Sequence, residues 1–244
     1  MDAYVQQAIA QGLDEIGFAD HAPADSGYDP AHRMTLTQFP EYVQDIQRLR
    51  EAYPDIRIRL GIEADFYPGF ESFLERLLHD FPVEYVIGSV HFIDGESIFN
   101  EANLTSREEE RHTIHHYFTS IRRGIQSGLI DIVGHMDLVK WMLPHALDDI
   151  CTAGIDVLYT IAERGLTLEL NTSGLRKHPA DFYPCEDLLR MACSLDIPVC
   201  LGSDAHKPQE VGAAFDRAMV LLDKTGYSGI SRYKNTIWTF VPDP

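Results

Sequence analysis

Apolar residues along this chain follow two alternating rhythms. In the first they recur every three or four positions, the spacing that gives a helix one apolar face. Val5, Ile9 and Leu13 begin it. "FPEYVQDIQRLREAY", "FESFLERLLHD", "SREEERHTIHHYFTSIRRGIQSG", "IDVLYTIAERG" and "CEDLLRMACSLD" continue it. In the other rhythm a short apolar run ends in polar residues. These runs are "EIGFADH" (15–21), "IRIRLGIEADF" (56–66), "YVIGSVHF" (85–92), "DIVGHMD" (131–137), "LTLELNTSG" (166–174) and "PVCLGSD" (198–204). Each follows one of the helical stretches. Strands that alternate with helices imply parallel strands in βα units. Six of them over 244 residues suggest a barrel more than a doubly wound sheet, read as a single domain over 1–244. No glycine-rich nucleotide-binding fingerprint follows the early strands.

The polar residues that end the runs carry the chemistry. His21 ends the first, Glu63 the second, His91 the third, His135 the fourth and Asn171 the fifth; Asp204 and His206 end the sixth. In a βα barrel these ends open on one face, where active sites lie. One such histidine is ordinarily structural. Four histidines and two carboxylates in register are a candidate metal centre, and their mixed nitrogen and oxygen character suits Zn, Mn or Fe.

Composition narrows the classes. The net charge of −18 gives no basic footprint for a nucleic acid, although metal ions and local cations can reverse the sign within one cleft. No apolar run reaches membrane-spanning length, and "MDAYVQQAIAQG" carries no basic segment followed by an apolar one, so neither a membrane span nor a secretory signal is expected. Cys151, Cys185, Cys193 and Cys200 form no CxxC pair and read as reduced thiols of a cytoplasmic protein.

In order and spacing, "ADHAP", "GIEADF", "GSVHF", "VGHMDLVK", "ELNTSGLRK" and "GSDAHKP" resemble the PHP (polymerase and histidinol phosphatase) superfamily, and more narrowly its histidinol-phosphate phosphatase branch. The resemblance implies a distorted, TIM-like (β/α)7 barrel with up to three divalent metals at its mouth. It implies that Glu63 bridges two ions, joined by His91 and His135 on one and by Asp204 on the other, with His21 and His206 on the third. Glu63, His91, Asp204 and His206 would form the catalytic set. The reaction implied is the hydrolysis of L-histidinol phosphate, a small phosphorylated substrate. The family opens with a His-x-His strand that this sequence does not contain. The expectation is therefore a barrel lacking its first strand, with fewer metals and little activity.

Arg176 and Lys140 follow strand ends and are read as phosphate contacts, Arg bidentately; Lys177 and Arg33 are weaker candidates. Asp65 and Asp137 lie two residues beyond Glu63 and His135, where they could orient ligands. Tyr67 and Trp141 fit a pocket wall or the core equally well. His112, His115 and His116 have the helical i, i+3, i+4 spacing of a metal pair, though outside a barrel such residues ordinarily pack or face solvent. "YKNTIWTFVPDP" reads as a closing strand or tail. Two alternatives to the histidinol-phosphate reading remain at this point: a broad-specificity phosphoesterase, and a non-catalytic barrel that binds a phosphorylated ligand. An amidohydrolase ranks lower, because no strand ends in lysine.

Overall fold

The computed structural model describes residues 1–25, 27–100, 104, 106–177, 180–232 and 236–239. Six parallel strands form one sheet in the order β1 (Glu15–His21), β2 (Arg57–Asp65), β3 (Tyr85–Ser89), β6 (Ile132–Val133), β7 (Thr167–Asn171) and β8 (Val199–Gly202). They are the six runs read from the sequence. Between them lie α2 (Phe39–Ala52), α3 (Phe70–Asp80), α4 (Arg107–Ser127), α5 (Leu147–Arg164) and α6 (Glu186–Ser194), with α1 (Asp2–Ala10) before β1 and α7 (Phe215–Thr225) after β8. β4 (Phe92–Ile93) and β5 (Glu96–Ser97) form a small antiparallel hairpin directly after His91.

Burial follows the rhythm of the sequence. β2 is buried almost continuously from Ile58 onward, as expected for a parallel strand packed on both faces. α2 buries Phe39, Tyr42, Val43, Ile46 and Leu49, one face at helical spacing. α4 is delimited at both ends: Ser106 and Glu109 form a reciprocal capping box, and Gly128 stops the helix at φ 74°.

Inside the sheet, small residues make room for large ones. Tyr85 lies across Gly17 and Gly61, where a Cβ on Gly61 would stand 2.2 Å from Tyr85 Cζ. The Tyr85 hydroxyl donates to the Phe18 carbonyl at 3.0 Å, so the half-buried phenol is satisfied. The two edge strands curve toward each other: α1 packs on the turn Pro208–Glu210, and Gln11 and Leu13 border Gly212. A parallel sheet curled in this way, with helices outside, is the TIM-like half-barrel that brings the strand ends onto one concave face.

Three elements differ from the reading of the sequence. α5 begins at Leu147 rather than Ile155, with Asp148 and Asp149 in its first turn, where acids complement the helix dipole. α7 is an additional helix beyond the six periodic stretches. Thr236–Thr239 of the C-terminal segment pairs antiparallel with Gly229–Arg232 rather than with the main sheet, and residues 233–235 and 240–244 lie outside the described residues.

Candidate metal centre

β1 and β2 run in register so that His21 stands opposite Glu63. β3 and β6 bring His91 and His135 to the same end, each two residues beyond its strand. Glu63 Oε1 is 3.0 Å from His135 Nε2 and 3.6 Å from His91 Nε2, and Glu63 Oε2 is 3.8 Å from His21 Nδ1. The rings of His21 and His91 are 5.1 Å apart, those of His91 and His135 5.0 Å. One carboxylate thus faces three imidazoles from three other strands.

Each member is held by groups beneath it. Asp65 Oδ1 pairs with His91 Nδ1 at 2.8 Å and accepts the His91 backbone N–H at 3.2 Å, which aims Nε2 at Glu63. The opposite oxygen of Asp65 accepts from Arg33, whose side chain is buried. Glu169 on β7 accepts the His135 backbone N–H at 2.9 Å and the Asn171 amide at 3.1 Å. Gly202, two residues beyond its partner Cys200 on β8, leaves room for it: a Cβ there would fall 1.8 Å from Glu169 Oε1.

The electrostatics follow this arrangement. Burial pushes the Glu63 carboxyl up, but His21, His135 and His91 together hold it well below the usual carboxylate range. Burial alone would lower the His91 pKa, yet Asp65 and Glu63 carry it up to about 9. Burial raises the Glu169 pKa, with Asp204 adding to the rise, and the opposing pull of His135 and Asn171 does not offset it.

The donor set fits a divalent ion. Glu63, His91 and His135 offer ligand atoms within 4.8 Å of one another, as do His21, Asp65 and His91. Nδ1 of His21, the ring nitrogen 3.8 Å from Glu63 Oε2, is buried without a hydrogen-bond partner among the described residues. Buried imidazole nitrogens left unpaired beside a carboxylate are costly unless something else binds there.

The β7–β8 side of the mouth is arranged differently. Asp204, at φ 46°, lies two residues beyond β8. Ser173 Oγ donates to its carboxylate at 2.8 Å, and Lys177 Nζ is 3.5 Å away. Burial raises its pKa, but Lys177, His135 and Ser173 bring it below the ordinary value. Arg176 donates from one terminal nitrogen to the carbonyls of Ser203, at 2.7 Å, and Asp204, at 3.1 Å, which fixes this turn. Neither Asp204 nor His206 joins the compact ligand groups around Glu63.

The structure revises several readings of the sequence. The family resemblance places His206 beside His21. Its side chain is 69% exposed with Nδ1 3.1 Å from the Asp204 carbonyl, and His206 and His21 both lie close enough to Asp20 to act on its carboxyl, while the ligand atoms of His21 group with those of Asp65 and His91. Lys140, a phosphate contact on the sequence reading, is buried, and its ammonium is taken up by Asp137 at 3.0 Å, Asp181 at 2.9 Å and the Phe182 carbonyl. Burial would lower its pKa, but Asp137 and Asp181 raise it, so it stays charged in the fold. Asp137 therefore serves Lys140 and the Cys185 N–H rather than His135. Lys177, a weaker candidate in the sequence, is the cation nearest Asp204, and it also lies 5.8 Å above the Phe99 ring. Phe99 stacks on His91 at 6.1 Å and meets Trp141 edge-on, which places Trp141 at the border of the centre. Tyr67 stacks on Tyr28 at 4.2 Å.

Residues 1–173 match the PHP domain family, and residues 185–218 match the PHP-associated family. A protein of Deinococcus radiodurans named "probable histidinol-phosphatase" is 41% identical over 227 residues, covering 91% of this chain and 86% of that protein. The histidinol-phosphatase of Bacillus subtilis is 28% identical over 239 residues, covering 87% and 89%. The fold matches the structure of histidinol phosphate phosphatase from Lactococcus lactis, solved with zinc, L-histidinol and phosphate, at a TM-score of 0.76 and 23% identity over 98% of this chain and 92% of that one. The gathering of Glu63 and three strand-end histidines thus occurs in a chain that belongs to the PHP domain family.

Proposed function

We propose that this protein is a metal-dependent phosphomonoesterase that hydrolyses L-histidinol phosphate to L-histidinol and phosphate. The observation that carries the reading is Glu63, with three imidazoles facing one half-buried carboxylate at the strand ends of a PHP chain. The relatives named above add the substrate, since the Lactococcus structure holds both halves of the hydrolysed ester. No helix among the described residues is long and apolar enough to cross a membrane, and the net charge of −18 favours a small ligand over a nucleic acid.

Glu63, His91 and His135 would hold one divalent ion, and His21 would join it or another ion that Asp204 approaches from the other side. Such an ion acts as a Lewis acid toward phosphoryl oxygens and makes water a usable nucleophile near neutral pH. The remaining work belongs to the chain. Asp65 fixes the orientation of His91, and Glu169 fixes the backbone of His135. Lys177 places a positive charge beside Asp204, where it would meet a phosphate, and Arg176 holds the adjoining Ser203–Asp204 turn. Phe99, 44% exposed beside His91, offers an aromatic surface for the imidazole end of the substrate.

The test is a comparison of kcat/KM for histidinol phosphate with that for simple phosphomonoesters, using protein loaded in turn with Zn, Mn and Fe. Preference for histidinol phosphate by about 100-fold or more, the worth of a few specific contacts, supports the reading. Equal turnover of unrelated esters would leave a broad phosphoesterase in its place.

A further inference from the structure

Another group of one carboxylate and two imidazoles lies outside the centre just described. His112 and His116 are one turn apart on α4, so both point from the same face. Their rings are 3.9 Å apart at 45°. Opposite them stands Asp94, at the tip of the β4–β5 hairpin. Asp94 at φ 51° and Gly95 at φ 86° form its two-residue turn, a conformation that Asp-Gly tolerates better than other pairs. Asp94 Oδ2 is 2.9 Å from His116 Nδ1, and the three residues offer ligand atoms within 4.8 Å of one another.

These separations are near those of a metal site. Around a tetrahedral zinc ion with bonds of about 2.05 Å, ligand atoms stand about 3.3 Å apart. Small rotations of three side chains reach that spacing. The platform beneath them does not have to move, because Ile114, Tyr117 and Phe118 of the same helix are buried and its N-terminus is capped by Ser106 and Glu109. Two imidazoles and one carboxylate favour zinc over magnesium or calcium, which require oxygen ligands. Asp94 is 68% and His116 38% exposed, which leaves the fourth position to water.

We propose that Asp94, His112 and His116 form a surface zinc site that fastens the β4–β5 hairpin to α4. The hairpin is continuous with the metal centre: the Ile98 N–H donates to the His91 carbonyl at 3.0 Å, and Phe99 follows it onto the His91 ring. Zinc here therefore steadies the strap that carries Phe99, without touching Glu63.

The experiment compares the wild-type protein with His112→Ala and Asp94→Asn, with His115→Ala as the control on the same helix. Protein is equilibrated at a series of fixed free zinc concentrations, and bound zinc is counted per chain. Wild type and His115→Ala are expected to bind one more equivalent than His112→Ala, with Asp94→Asn binding that equivalent at least about tenfold more weakly, since a charged oxygen ligand is lost. Hydrogen exchange of residues 92–98 provides an independent readout. At free zinc about 100 times the dissociation constant, exchange that requires hairpin release slows about 100-fold in wild type and not in His112→Ala. Equal zinc content in wild type and His112→Ala would overturn the proposal, as would a loss in His115→Ala equal to that in His112→Ala.

Discussion

Two clusters in this molecule contain the same chemistry, one carboxylate and two imidazoles, and differ in what stands behind them. Glu63, His91 and His135 come from three strands, are largely buried, and are braced by Asp65 and Glu169. Asp94, His112 and His116 come from one helix and one turn, are largely exposed, and are joined by the Asp94–His116 hydrogen bond and the contact of the two rings. In a sequence the exposed cluster has the plainer metal-site pattern, because its histidines are four residues apart. In space the buried cluster is the better organised. Its charges act on one another at close range, so the Glu63 and His91 pKa values are displaced, and its geometry is preorganised by Asp65 and Glu169 behind it.

The largest effect should come from removing the carboxylate around which the buried cluster is built. Glu63→Gln is expected to lower kcat/KM for histidinol phosphate by about 10³-fold, on the scale of losing a central electrostatic group, and to reduce tightly bound metal by elemental analysis while circular dichroism is unchanged. Retained metal and activity would remove the distinction between the clusters. Asp65→Asn tests the bracing alone. It leaves Glu63, His91 and His135 in place but weakens the hold on His91 Nδ1, and should cost about 10–100-fold in metal affinity at that group. If it costs nothing, orientation of His91 is not what separates the two groups.

The titration of His91 gives a pH test of the same difference. Its pKa in the metal-free protein is raised to about 9 against an unperturbed value of about 6.5. The charged pair with Asp65 and Glu63 therefore contributes stability that is fully present below about 6.5 and is lost as pH rises through about 9. Metal binding has the opposite sense, because the ion must displace that proton. Affinity at the buried centre should rise about tenfold per pH unit from about 6.5 to about 9 and then level. Calorimetry in two buffers of different ionisation heat should show about one proton released per metal at pH 7. No proton release at pH 7 would count against the His91–Asp65 pairing.

The smallest effect belongs to the exposed group. His116→Ala, assayed without added zinc, is expected to change turnover by less than about twofold, as for most surface substitutions. A loss comparable to that of Asp65→Asn would show that the hairpin and the centre depend on each other more closely than their separate supports imply.

Much of the centre is legible in the sequence because the chain repeats one device. A buried parallel strand has few reasons to end in a polar or ionisable residue, and six such ends in register point to one face. What the sequence does not show is direction. Lys140 reads as exposed after "GHMDL", but the turn Leu138–Trp141 swings it inward onto Asp137 and Asp181. His206 sits two residues from Asp204, but the chain leaves the strand at Gly202, so the alternation of a strand does not set the two side chains on one side. Glu169 is easily missed in "LTLELN". Its signal is an acid inside an otherwise apolar strand, but the glycine that makes room for it lies on β8, which only the fold brings alongside. The β4–β5 hairpin carries its Asp-Gly turn openly in "FIDGES", with strands of two residues each, too short for alternation to register.

The most direct test of the account is anomalous diffraction at the zinc edge from crystals of the protein equilibrated with limiting zinc. The account predicts that the strongest peak lies about 2.0–2.2 Å from the Glu63 carboxylate and from Nε2 of His91 and His135, and that the Asp94–His112–His116 position fills only at higher zinc. A strongest peak at Asp94, His112 and His116, with none beside Glu63, would contradict it.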